Sequence, residues 1–100
     1  MYLTLIPNYT QSCIKDDFNG IIDINALGLP KELISEINIW HTKYREIIPL
    51  SMEQRHIMSS EIEKLDEQGI LIAKSIKKFS SRNIKIKYFS EGKLKHLPVD

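Results

Sequence analysis

The chain has 100 residues, of which 42% are hydrophobic and 27% charged, and its formal net charge is +1 at pH 7. This composition is typical of a soluble globular protein and excludes an intrinsically disordered chain. The length fits one compact domain over residues 1–100. Residues 1–10 hold only a short apolar run with no basic flank, so we expect neither a signal peptide nor a membrane span, and a cytoplasmic location.

The charges are unevenly distributed along the chain. Up to Glu67, 11 acidic residues outnumber six basic ones, a net charge of −5, whereas from Gln68 onward eight basic residues outnumber two acidic ones, a net charge of +6. Such asymmetry steers charged partners more than it determines a fold. The single cysteine, Cys13, has no partner for an internal disulfide or a zinc site, so we expect a small, semi-buried apolar residue.

The first element predicted is a β-strand over residues 2–6, which are rich in strand-forming side chains and are followed by Pro7. Residues 8–30 then contain turn signals, such as Asn19 before a glycine, and one short apolar run at 21–24. This connection is predicted to form either a strand at that run or a long loop packed on itself. The side chains expected to pack the loop are Phe18, Ile22 and Leu27.

A helix is predicted to begin near Lys31, because apolar residues recur from there at spacings of three and four. Pro30 suits the start of a helix, and Pro49 ends the run. His41 is expected on the polar flank of this helix, solvated or partly packed. The predicted buried face consists of Leu33, Ile37, Trp40, Tyr44 and Ile47 or Ile48.

A second helix is predicted to begin at one of two capping boxes, Ser51 with Gln54 or Ser60 with Glu63, and the presence of both indicates a break near Ser59-Ser60. Its apolar stripe contains Gly69, where a missing side chain would let another element approach closely. Leucine at this position should overpack the core, whereas alanine should be tolerated or stabilise where space allows. The stripe consists of Met58, Ile62, Leu65, Gly69, Ile72, Ile76 and Phe79.

Near the C-terminus apolar residues alternate with lysines, which predicts a strand over 84–89 with Lys85 and Lys87 on one face. A hairpin loop at 90–93 and a short return strand at 94–97 follow. The predicted fold is therefore α+β, with a small antiparallel sheet, made of the N-terminal strand and the C-terminal hairpin, covered by two helices. The N-terminal strand is expected to pair with the first strand of the hairpin.

The sequence contains no phosphate-binding loop, dinucleotide fingerprint, nucleophile elbow or paired cysteine and histidine motif. The three histidines, His41, His56 and His96, lie in different predicted elements without the spacing of a metal site. We therefore expect no enzyme, no catalytic residue, no metal and no cofactor.

The basic hairpin offers an alternative function, a small nucleic-acid-binding or regulatory domain. The predicted basic face consists of Arg82, Lys85, Lys87, Lys93 and Lys95. No aromatic residue is obviously interleaved with these lysines, because Tyr88 alternates to the other side of its strand. A self-associating module that pairs through a strand edge is a third possibility, and the sequence leaves the oligomeric state open.

The segment from Phe18 to Ser90 resembles a widespread set of small bacterial proteins, many of them immunity proteins, including cognate inhibitors of contact-dependent growth inhibition toxins. Where such proteins often carry aspartate after the tyrosine of the first helix, this chain has Arg45. The resemblance implies a protein that binds the C-terminal domain of a toxin and neutralises it. It is carried by the turn at Asn19-Gly20, a helix with Leu29, Leu33, Ile37, Trp40 and Tyr44, a second helix with Asp66, Gly69, Ala73 and Ile76, and a strand with Ile86, Tyr88 and Phe89.

Many such toxin domains are nucleases with basic clefts, which carboxylates can recognise in place of phosphates. Because the first two thirds of the chain are acidic, we expect the partner to be bound there. The predicted contact residues are Asp16, Asp17, Asp23, Glu32, Glu36 and Glu46. Neither the toxin nor its activity follows from the sequence.

Overall fold

The computed structural model describes residues 1–81 and 83–99. The strands are β1 (Tyr2–Leu5), β2 (Ile14–Asp16), β3 (Gly20–Ile21), β4 (Lys85–Ser90) and β5 (Lys95–Leu97), and the helices are α1 (Lys31–Tyr44), α2 (Met52–Ile57) and α3 (Ser59–Phe79). A short 3-10 helix, Ile24–Leu27, precedes α1. None of the described helices is long and apolar enough to cross a membrane.

The predicted α+β class is confirmed. Within the described residues the strands form one five-stranded sheet in the order β3-β2-β1-β4-β5. Strand β1 pairs with β4, as predicted, but the two run parallel, while the other neighbouring pairs are antiparallel. A parallel pair needs a long crossover, which here is supplied by the segment containing all three α-helices.

The connection between β1 and α1 is more ordered than predicted. It forms the β2–β3 hairpin and then the 3-10 helix, which begins where the Asp23 side chain accepts a hydrogen bond from the Asn25 N–H and ends at Gly28 in the left-handed region, φ 67°. The predicted strand at 21–24 is therefore reduced to its first residue. Phe18 is 79% exposed and does not pack a loop, whereas Leu27 is fully buried.

The helices follow their predicted apolar faces. All residues of the predicted α1 face as far as Ile47 are buried. The break in the second helix is also confirmed, because the Ser51–Gln54 capping box starts α2 and the chain bends at Met58 before α3. Ser60 does not cap α3, since Met58 holds the cap position without a side-chain hydrogen bond.

Gly69 lies at the contact between α3 and the sheet, as predicted. It is buried, and a Cβ added to it would lie 2.4 Å from Cε1 of Tyr88 on β4. The space on which tolerance of alanine depends is therefore absent. Phe79, the last residue of the stripe, is half exposed beyond the end of this contact.

His41 is buried, contrary to the prediction of a solvated or partly packed flank residue. Its side chain is 3% exposed, and its Nε2 lies 2.8 Å from the backbone oxygen of Asn8. Burial lowers the pKa of His41, which favours the neutral ring. Arg45 donates from Nε to the same oxygen and from Nη2 to the backbone oxygen of Thr10. These hydrogen bonds connect the loop after β1 to the C-terminal end of α1.

Candidate interaction surface

A buried carboxylate, which the sequence analysis named only as part of the family resemblance, connects α3 to the sheet. Asp66 is 1% exposed. Its Oδ1 accepts hydrogen bonds from the hydroxyls of Tyr44 at 2.8 Å and Tyr88 at 2.6 Å, and its Oδ2 accepts one from Ser90 at 2.8 Å. Every donor comes from another element, so this side chain holds α1, α3 and β4 together.

Two side chains of this network, Tyr44 and Ser90, also order the turn between β4 and β5. The Gly92 N–H donates to the Tyr44 hydroxyl at 2.9 Å, and the Lys93 N–H donates to Ser90 Oγ at 3.1 Å. Burial raises the pKa of Tyr44 to about 12 and also raises that of Tyr88. Both hydroxyls therefore remain protonated donors at neutral pH.

Arg55 fixes the short helix α2 to the same turn. Its side chain is buried and donates to the backbone oxygens of Leu50 at 3.0 Å and Ile48 at 2.8 Å. It also donates to the backbone oxygen of Glu91, whose carboxylate lies 3.8 Å away. With the Asp66 network, this arginine connects α2 and the β4–β5 turn to the rest of the fold through buried hydrogen bonds.

Three of the six acids predicted as partner contacts have roles within the fold. Asp16 is buried and accepts hydrogen bonds from the N–H groups of Phe18 and Asn19, which lower its pKa. Asp17 accepts a hydrogen bond from Thr4 Oγ1 at 2.7 Å and lies 3.2 Å from Lys87 Nζ. The exposed Asp23 caps the 3-10 helix.

The other three predicted acids lie on one exposed stripe of α1 and the turn that follows it. Glu32, Glu36 and Glu46 are exposed, and with Ile39 and Lys43 they recur at alternating spacings of four and three. Helical hydrogen bonds continue past α1 through Ile47, so Glu46 extends the same row. Ile39, 55% exposed, lies in the middle. We call these five residues, Glu32, Glu36, Ile39, Lys43 and Glu46, the α1 stripe.

The α1 stripe borders a shallow groove of about 340 Å³ between α1 and α3. Its apolar lining comes from Ile47, Met58 and Leu65, and charged side chains lie around it. An apolar centre with a charged rim is the usual arrangement of a protein-binding surface. The groove is lined by Lys43, Glu46, Ile47, Met58, Glu61, Lys64, Leu65 and Gln68.

The predicted basic face is divided by the structure. Lys93 lies 2.9 Å from a Glu63 carboxylate oxygen and 3.8 Å from Asp66, and the hydrogen bond to Glu63 raises its pKa. Lys95 is paired in register with the buried Ser90. Directly paired residues lie on the same face of a sheet, so Lys95 lies on the face opposite Lys85 and Lys87. The last member, Arg82, lies outside the described residues. Lys85 and Lys87 remain together on the outer face of β4.

Aromatic side chains share that outer face, contrary to the prediction that none is interleaved with the lysines. Tyr2 on β1 is paired in register with Lys85, and the Tyr2 ring meets that of Phe18 edge to face at 5.8 Å. Phe89 on β4 meets the ring of His96 on β5 at 5.1 Å. Tyr2, Phe18 and His96 could not be found from local sequence, because they come from other strands and from a turn. Phe89 could have been found, because it alternates with Lys85 and Lys87 along β4 itself.

Comparison with known proteins gives one family. A family model described as Serratia CdiI immunity protein-like matches residues 2–91. No curated protein and no solved structure gives a significant match. Among the described residues, no group of three or more histidine, cysteine, aspartate or glutamate side chains is placed to hold a metal ion.

Proposed function

Because the chain belongs to the Serratia CdiI immunity protein-like family, we propose that it binds the C-terminal domain of a cognate bacterial toxin and neutralises it in a stoichiometric complex. The observation that carries this proposal is the family match, which spans residues 2–91. The protein would act in the cytoplasm, without a catalytic step and without a cofactor.

The rigidity of the fold supports a role as a binder. A protein that inhibits by occupying a surface gains affinity when that surface is ordered before the partner arrives. Asp66 and Arg55 together fix the positions of all three helices relative to the sheet. The helical side therefore presents a preformed shape.

We further propose that the α1 stripe and the adjoining groove form the contact surface. Glu32, Glu36 and Glu46 are exposed, and among the described residues none of them takes part in an ion pair. Free carboxylates attract a basic partner at long range and accelerate its association. Ile39 and the apolar lining of the groove would supply the water-excluding centre. This proposal narrows the predicted acidic set to its three members on the stripe.

Charge reversal tests this surface. The double variant Glu36→Lys/Glu46→Lys is expected to slow association with the toxin domain by about tenfold or more at low salt, and by less at high salt, because screening weakens exposed charges. The probe is the C-terminal domain of the cognate toxin, which is first sought in the open reading frame directly upstream. The association rate is measured by stopped-flow fluorescence.

The matched control is Glu53→Lys/Glu67→Lys, which changes the net charge equally at exposed positions on α2 and α3. It should associate nearly as fast as the wild type. If both double variants slow association equally, only the total charge matters. If neither does, the α1 stripe is not the contact surface.

A further inference from the structure

The face of the sheet opposite the helices is open and carries three rows of side chains. The leucines of β1, with Ile14 and Tyr88, point into the core under the helices, so their neighbours along each strand point outward. Thr4 lies between Lys15 and Lys87 in the register and forms the middle row with them and with Ile21, which pairs with Lys15. The two outer rows are Tyr2 with Lys85, and Phe89 with His96.

The middle row carries two of the three lysines of this face, Lys15 and Lys87, and aromatic rings lie on both sides of it. Lys15, Lys85 and Lys87 are all exposed. Lys85 Nζ lies 5.8 Å from the centre of the Tyr2 ring, a cation–π contact. Along β4 the two aromatic rows are four residues apart, about 13 Å at about 3.3 Å per residue. We call this surface, made of Tyr2, Lys15, Phe18, Lys85, Lys87, Phe89 and His96, the open face.

We infer that the open face binds single-stranded nucleic acid, a function separate from toxin neutralisation. Lysine side chains attract the phosphates of a single strand, and exposed aromatic rings stack on its unpaired bases without strong sequence preference. Phe18 and Tyr2, 79% and 48% exposed, offer rings on one side of the middle row. A small groove of about 150 Å³ beside Tyr2 and Lys85 adds a recess on that side.

The order of charges and rings favours nucleic acid over an acidic protein. A protein-binding surface usually has its aromatic residues at the centre and its charges at the rim. On the open face the order is reversed, because Lys15 and Lys87 occupy the middle row and the rings occupy the outer rows. A strand lying across these rows would place its phosphates over the lysines and its bases over the rings.

Asp17 weakens the attraction of the open face for phosphate groups, so a substitution at Asp17 is a sensitive test of nucleic-acid binding. Its carboxylate accepts a hydrogen bond from Thr4 and lies 3.2 Å from Lys87 Nζ, so it competes with a phosphate for that lysine. Asp17→Asn keeps an oxygen that can accept from Thr4 but removes the negative charge. This variant should therefore bind nucleic acid more tightly than the wild type.

Fluorescence anisotropy with labelled 12-nucleotide poly-U RNA and poly-T DNA tests the inference. Wild-type protein is expected to bind both with an affinity that falls as salt rises, with a log–log slope of about −2 for three lysine contacts. Lys85→Gln/Lys87→Gln and Tyr2→Ala/Phe18→Ala should each weaken binding about tenfold. Asp17→Asn should strengthen it.

The control Lys74→Gln/Lys77→Gln removes the same charge from exposed positions on α3 and should leave the affinity unchanged. Absence of RNA and DNA binding, or equal losses in the control and the β4 variant, would overturn the inference. Loss of toxin binding in Lys85→Gln/Lys87→Gln, without nucleic-acid binding by the wild type, would instead identify the open face as a protein-docking surface. That outcome leaves the proposed immunity function intact.

Discussion

Asp66→Ala is expected to lower the free energy of unfolding by about 3–5 kcal/mol. The substitution removes the acceptor for the hydroxyls of Tyr44, Tyr88 and Ser90 and leaves these donors buried without that partner. It also loosens the β4–β5 turn, because Tyr44 and Ser90 accept hydrogen bonds from that turn. The unfolding midpoint in urea should fall accordingly.

The fluorescence of Trp40, the single tryptophan, reports this transition, because its ring is fully buried beside Tyr44 and Tyr88. Asp66→Asn retains one acceptor oxygen and should cost less than alanine. The neighbouring Glu67→Ala, at an exposed position of the same helix, should change stability by less than about 0.5 kcal/mol. Equal midpoints for Asp66→Ala and Glu67→Ala would show that the buried network does not stabilise the fold.

Gly69→Ala is expected to destabilise the protein by about 1–3 kcal/mol, although alanine favours a helix by about 1 kcal/mol over glycine. The added Cβ would lie 2.4 Å from Cε1 of Tyr88 and 2.7 Å from its hydroxyl oxygen. This ring cannot move away freely, because it is fully buried and its hydroxyl is bonded to Asp66. Gly69→Leu should destabilise the protein further for the same reason.

Chemical denaturation measures both effects, and the alanine variant keeps the test informative if the leucine variant does not fold. Lys74→Ala on the exposed side of α3 is the control and should be close to neutral. A gain in stability for Gly69→Ala would mean that helix propensity outweighs packing. In that case the Tyr88 ring would not restrict a side chain at position 69, and the close packing of α3 against Tyr88 would be contradicted.

The helices could be predicted because their apolar residues are periodic and local. The α1 face and the break before α3 follow from residue spacing and from the Ser51–Gln54 capping box, which act within one or two helical turns. The position of Gly69 on the buried stripe follows from the same period. The effect of alanine at this position does not follow from the period, because the effect depends on the Tyr88 ring, which comes from a distant strand.

The short elements and the buried polar contacts could not be predicted, because they depend on residues that are distant in the sequence or on strands too short to show a pattern. Strands β2 and β3 have only three and two residues, too few to show an alternating pattern. The partners of Asp66 are 22 to 24 residues away in the sequence, so residue spacing along α3 did not indicate that its carboxylate is buried. His41 likewise is buried by a loop 33 residues away.

The acidic character of the candidate surface could be predicted from the sequence, but which of the acids are exposed together could not. Glu32, Glu36 and Glu46 were selected from the sequence as acids and then found on one exposed stripe of α1. Asp16 and Asp17 carry the same charge, but their hydrogen bonds within the fold depend on strand pairing. Tyr2 and His96 of the open face depend on that pairing as well, whereas Phe89 follows from alternation along β4.

The most direct test of the proposed function is a calorimetric titration of the purified chain with the C-terminal domain of the cognate toxin, which is first sought in the open reading frame directly upstream. The proposal predicts saturable binding at one molecule of the chain per toxin domain, with toxin activity lost over the same range of concentrations. A toxin domain from an unrelated secreted protein should not bind. Absence of binding to the cognate domain, or binding that leaves its activity unchanged, would contradict the proposed function.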